Sequence, residues 1–210
     1  MIALLRTLAL LLALAGAGPA RAEPLHAPAD LRTQQQIARL FEEARAALDA
    51  GQGGAVLPLL SRATLARLEA IRSAARIGSA AGSARLSPAE RVAALTLQRF
   101  MPPNRLRELR TAELADAALA EHWLSPGTIH QASLGPVTVE GLHADAPLLV
   151  KGKPGLISVA FIREGGQWRI DLTPTVAVAD GLLSLFASLA GVSEDDYAGK
   201  LVARLHAPAR

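Results

Sequence analysis

Apolar positions recur at helical spacing near the start of the chain, where Ile37, Leu40, Phe41, Ala44 and Leu48 form a single stripe. Asp30 precedes the stripe as an N-cap, so the pattern predicts a helix over about 31–50, ended by Gly51-Gln52-Gly53-Gly54. A short helix through Leu57–Leu60 follows, and Ser61 can cap another that carries Leu65, Leu68 and Ile71. The Gly-, Ser- and Ala-rich run from Ile77 to Leu86 reads as a loop. Ser87-Pro88-Ala89-Glu90 then combines a capping box with proline at the first helical position, and that helix should reach Phe100 before Met101-Pro102-Pro103 breaks it. One or two helices bearing Leu106, Leu109, Leu114, Ala118 and Trp123 lead to Ser125-Pro126-Gly127.

From Thr128 the period changes to two. Val137 and Val139 alternate with Thr138 and Glu140, and a turn at Glu140-Gly141 would let Leu142, Ala144, Ala146, Leu148 and Val150 continue the apolar face. Lys151–Gly155 supplies a second turn, and Leu156–Arg163 with Gln167–Leu172 complete a four-strand antiparallel meander. Helical spacing returns in Leu182, Leu183, Phe186 and Leu189, and Gly191 stops that helix. Ser193 caps a last one, with Glu194-Asp195-Asp196 at its positive end and Arg204 and His206 at its negative end. N-terminal helices, a meander forming a curved sheet and C-terminal helices define an α+β domain over 30–206.

The segment before Asp30 follows different rules. Arg6 precedes an apolar run from Leu8 to Ala15, and small residues lead to Ala20-Arg21-Ala22, the layout of a cleavable signal peptide over 1–22. The run is shorter than the about 20 residues a spanning helix needs, so no stable membrane insertion is expected after processing. Residues 23–29, with Pro24 and Pro28, read as an exposed arm. The chain has no cysteine, which rules out a lipid-modified N-terminus, disulfides, thiol nucleophiles and thiolate metal sites. A periplasmic or secreted protein that is not a lipoprotein is the expectation.

Charge changes little. Removing 22 of 210 residues leaves 188, and takes away Arg6 and Arg21 but no acidic residue, so the formal net charge falls from +3 to +1. With aromatics at 3%, neither a phosphate track nor a stacking platform is present, and nucleic acid is not an expected partner.

The segment FIREGGQWRIDL, Phe161–Leu172, carries the densest mixture of charged and aromatic residues. A turn at Glu164-Gly165 pairs Phe161 with Trp168, whereas one at Gly165-Gly166 pairs Phe161 with Ile170. Both put Val159, Phe161, Trp168 and Ile170 on one face, because the registers differ by two residues. Arg169 and Asp171 fall on the other, read as a solvated or dimer-facing surface.

Three features resemble the nuclear transport factor 2-like superfamily, the cone-shaped fold that includes ketosteroid isomerase and scytalone dehydratase. They are the long first helix followed by DAGQGGAVLPLLS, the late meander over about 128–173, and the terminal hairpin VAFIREGGQWRIDL. The resemblance implies a cone-like core over about 30–173. The long helical insert and the C-terminal helices at about 176–205 depart from the compact family plan and look like an exported bacterial branch. Family enzymes place carboxylates, histidines or tyrosines inside the cone. Here Tyr197, the only tyrosine, lies outside the matched span, and no residue matches the isomerase set position by position.

Candidate chemistry is sparse. His143 and Asp145 share a strand face with Glu140 nearby, but the alternation makes that face a polar exterior, and no metal site is expected. His130, whose facing depends on a bulge at Gly135-Pro136, and Asp171 are the weak candidates for a catalytic base. There is no nucleotide-binding, zinc-protease or serine-hydrolase motif, and no cofactor is implied. Phe41, Trp123, Phe161 and Trp168 are the candidate ligand-binding residues of an apolar cleft between helices and sheet. The leading expectation is a non-catalytic exported domain that binds a small hydrophobic ligand or a partner segment, and a homodimer is compatible with it. An isomerase-, dehydratase- or hydrolase-like enzyme and a cell-envelope interaction module are the alternatives. N-terminal sequencing of the exported chain should begin at Glu23; a chain still carrying residues 1–22 would exclude cleavage there.

Overall fold

The computed structural model describes residues 30–78, 85–120 and 129–204. Helix α1 spans Leu31–Asp49 and opens on Asp30, whose carboxylate accepts the Thr33 N–H at 2.7 Å. Its stripe buries Ile37, Leu40 and Ala44. A single turn, α2 (Gly53–Val56), runs into a 3-10 turn at Leu57–Leu59. Helix α3 (Arg62–Ile77) is capped by the Ser61 hydroxyl and ends at left-handed Gly78. Helix α4 (Pro88–Phe100) has the expected capping box, in which the buried Glu90 carboxylate also pairs with Arg67 at 2.7 Å. Two shorter helices follow, α5 (Pro103–Glu108) and α6 (Thr111–Ala120).

The sheet is antiparallel and curls into a half-barrel. Its strands are β1 (Ala132–Leu134), β2 (Thr138–Glu140), β3 (His143–Val150), β4 (Lys153–Glu164) and β5 (Gln167–Asp171). Both β1 and β2 pair with β3, followed by β4 and β5, so the meander keeps four positions with its first strand broken in two. The break falls at Gly135-Pro136, where the Gly135 N–H reaches the Pro147 carbonyl. Glu140 pairs with His143, so the first hairpin turns at Gly141-Leu142 rather than Glu140-Gly141, and Leu142 is exposed instead of continuing the apolar face. The second turn narrows to Lys151-Gly152, both at positive φ, and β4 starts at Lys153.

The last hairpin takes the Gly165-Gly166 register, pairing Phe161 with Ile170. Both central residues have positive φ, 56° and 81°, as the favoured two-residue turn demands. The competing turn would have forced Glu164 into that left-handed region, which costs a side-chain-bearing residue and leaves glycine unaffected.

Helix α7 (Thr173–Leu189) leaves β5 directly, and α8 (Glu194–Arg204) closes the described chain. No single helix among the described residues is long and apolar enough to cross a membrane, and α7 and α8 meet at a bend of 98°. Two hydrophobic clusters form. One joins α1, the α2 turn and the concave sheet face through Ile37, Leu40, Ala146, Phe161, Trp168 and Ile170. The other joins α3, α4, α7 and α8 through many alanines, including Ala75, Ala89, Ala93, Ala179 and Ala198. Helix α3 serves both, with Leu68 in the first and Ile71 in the second.

Close backbone approach fixes the α2 turn on α6. The Gly54 N–H donates to Asp116 Oδ1 at 2.7 Å, and a Cβ on Gly53 would lie 2.6 Å from the Ala115 carbonyl oxygen. Gly53→Ala should therefore lose about 1–3 kcal/mol of stability by overpacking. Gly199→Ala, in α8 with nothing within 4 Å of its Cβ, should gain about 0.5–1 kcal/mol. Urea denaturation of both variants checks the contrast.

Candidate functional site

The polar residues of the last hairpin do not form the solvated surface the alternation suggested. Asp171 is buried, 8% exposed, at the end of β5. The Ser61 hydroxyl lies 3.0 Å and the Thr64 hydroxyl 3.1 Å from its Oδ1, and the Thr173 N–H and hydroxyl donate to it at 3.1 and 2.9 Å. Thr64 Oγ1 also accepts the Leu172 N–H at 2.9 Å and lies 2.9 Å from Ser61 Oγ, whose single proton both neighbours share. Ser61 caps α3 and Thr173 opens α7, so two helix N-termini converge on one carboxylate. Their positive dipole ends and four donor groups compensate its charge. The period-two pattern misplaced Asp171 because it cannot register that the start of α3 covers the outer sheet face at this point.

Arg169 does not pair with Asp171. Its guanidinium donates to the Pro58 carbonyl at 2.6 Å and to Gln167 at 2.7 Å, while Glu164 accepts the Arg62 backbone N–H and side chain. These contacts hold the 57–62 segment along the free edge of β5, where Leu60 bridges Ile170 in parallel and the Ser61 N–H reaches the Ile170 carbonyl at 2.8 Å. An otherwise open sheet edge is thereby covered.

His130 faces outward. Its imidazole is largely exposed and its Nδ1 lies 3.1 Å from Asp49 Oδ2 at the end of α1. It shares no partner with Asp171, so the two candidate bases are not brought into one site. His143, Asp145 and Glu140 are exposed on β2 and β3, as the alternation predicts. Among the described residues no group of three or more His, Asp or Glu could hold a metal ion. Three carboxylates elsewhere titrate low. Asp30 is lowered by the Thr33 backbone N–H, Glu69 by the Arg72 guanidinium and the Thr111 hydroxyl, and Glu113 by the Arg110 side chain and backbone. Lowered folded values mean that the stability these contacts supply is present above the ordinary carboxylate range and is lost as the pH falls through it.

Of the four residues assigned to an apolar cleft, Phe161 and Trp168 lie in the half-barrel core, and Phe41 is half-buried on α1. Trp123 lies outside the described residues. Phe161 and Ile37 are fully buried there, at 1% and 0% exposed. Trp168 is 7% exposed, and its indole Nε1 is buried without a hydrogen-bond partner. Arg91 Nε is likewise buried and unpaired, but the rest of that guanidinium is held by Glu194 and Asp195. Trp168 has no second donor. A recess between α3, α4 and α7 has about 10 Å³ of room, space for about one water.

Fold and site together define an α+β half-barrel whose concave face packs on one helix and whose last strand is locked to a helical layer by a buried carboxylate. No protein-family model, curated protein or solved structure matches this chain.

Asp171→Ala should cost about 2–3 kcal/mol, because buried hydroxyls and an N–H lose their acceptor. Ser61→Ala combined with it should be clearly non-additive in chemical denaturation. An Asp171→Ala protein as stable as the parent would remove the structural role assigned to this carboxylate.

Proposed function

We propose that this chain is an exported, non-catalytic binding domain that takes a small, uncharged, apolar ligand bearing one hydrogen-bond acceptor at the Trp168 end of the half-barrel. The observation that carries the reading is the indole N–H of Trp168, buried in an apolar cluster with no acceptor. An unmet buried donor costs about 1–3 kcal/mol, and a ligand carbonyl or ether oxygen would recover it. The cluster it belongs to, with Ile37, Leu40, Phe161 and Ile170, is apolar, and exposed Arg163 stands opposite Trp168 across the hairpin, so the buried part of the site favours a neutral apolar body.

A catalytic role finds less support, since Asp171 is engaged by Ser61, Thr64 and Thr173 and His130 sits apart at the surface. Export rests on the signal-peptide pattern over 1–22, and the likeness to the nuclear transport factor 2-like cone rests on the sequence features that suggested it.

Native mass spectrometry of the chain, expressed with residues 1–22 in place and recovered after export, should show a bound neutral species. Trp168→Phe should weaken its retention about tenfold or more, since a charge-free buried hydrogen bond and packing surface are lost together. A ligand-free protein whose tryptophan emission and melting temperature ignore 1-decanol and 2-undecanone would overturn the reading.

A further inference from the structure

The concave face of the last hairpin ends on two hydrogen-bond donors. Arg163 of β4 and Trp168 of β5 are Cα partners, and alternation puts both on the face of Phe161 and Ile170, the pair two residues further from the turn. Glu164 and Gln167 close the two-residue turn as a hydrogen-bonded pair. Arg163 and Trp168 are therefore a non-hydrogen-bonded pair, the kind whose side chains stand closest. The indole N–H is buried and meets no acceptor. The Arg163 side chain is exposed, and of its guanidinium nitrogens only Nε has a partner, the Gly166 carbonyl at 3.4 Å. Glu164, the carboxylate next to it in sequence, lies on the opposite face and is taken by Arg62. Among the described residues no carboxylate pairs with Arg163, and its terminal nitrogens remain open to a guest.

We propose that the ligand of the Trp168 site is a carbonyl compound, of the ketone, ester or lactone kind, whose one oxygen accepts from the Trp168 indole and the Arg163 guanidinium together. The inference rests on the reading of Trp168 as a ligand site and narrows the class of ligand that site takes. The oxygen chemistry makes the selection. A carbonyl oxygen has two lone pairs and no proton, so it serves both donors and leaves nothing unpaired. A hydroxyl accepts equally well but brings a donor of its own, and the apolar cluster behind Trp168 offers that proton no partner. An ether oxygen is flanked by carbon on both sides, which crowds the approach of two donors. A carboxylate would set its charge against Phe161 and Ile170 and give up hydration that a single solvent-exposed guanidinium does not replace. The two residues divide the work. The indole, buried and unmet, gains most from any acceptor, while the guanidinium at the rim distinguishes an oxygen with two free lone pairs from one without.

Isothermal titration calorimetry of the exported chain with 2-undecanone and 2-undecanol isolates the oxygen, because the two share one carbon skeleton. The ketone should bind about tenfold more tightly, the cost of one unmet donor. Arg163→Met keeps the apolar stem and removes the donors; it should weaken 2-undecanone about tenfold, change 2-undecanol less than about twofold and leave the melting temperature near that of the parent. Arg163→Lys, which restores a cationic donor, should recover part of the ketone's advantage. Equal affinity for ketone and alcohol overturns the proposal and leaves the Trp168 site standing, as does an Arg163→Met protein that keeps the full preference. Decanoate bound more tightly than 2-undecanone would make the site one for anions and also overturn it. Binding of none of the three removes the Trp168 reading itself, and this inference with it.

Discussion

One carboxylate holds the two halves of this protein in register. Asp171 ends β5, and every donor it receives comes from the start of α3 or α7. The half-barrel core and the alanine-rich helical core have no buried residue in common; they meet at Leu48 of α1, which packs against both, where α3 passes from Leu68 to Ile71, and where Leu172 gives way to Val176. Hydrophobic burial is non-directional and would tolerate a range of angles between such layers. A buried charge with four directional donors does not, because each misaligned donor leaves polar atoms unpaired in low dielectric. The network therefore contributes orientation more than net stability, and it explains why a hydrophobic sheet strand ends on an aspartate.

The same network shows what the sequence could reveal and what it could not. Signals that act within a few residues were legible. Asp30, Ser61 and the Ser87–Glu90 capping box all start the helices they predict, Met101-Pro102 separates α4 from α5, and Gly135-Pro136 breaks the first strand. The hairpin register was also within reach, since a turn needing two positive-φ residues favours Gly165-Gly166 over a pair that includes Glu164. Asp171 was misassigned because alternation reports which residues share a face, not what covers that face. Its covering residues stand 107 and 110 positions away along the chain. The unmet Trp168 N–H was invisible for the same reason, since pairing of a buried donor is a property of the packed interior.

The division of side-chain volume between the two cores follows from their shapes. Helices that cross closely need small residues at the contact, and the helical layer supplies Ala74, Ala75, Ala89, Ala93, Ala94, Ala179 and Ala198. A concave sheet facing a single helix leaves deeper space between them, and there the chain places Phe161 and Trp168, in a sequence whose aromatic content is only 3%. Small residues would leave voids in that space, with the loss of contact that cavities bring. Trp168 fills the depth but brings a donor that the apolar lining cannot satisfy, whereas a phenylalanine would have brought none. Retaining an indole where only bulk was needed leaves the half-barrel with a buried donor that packing alone does not explain.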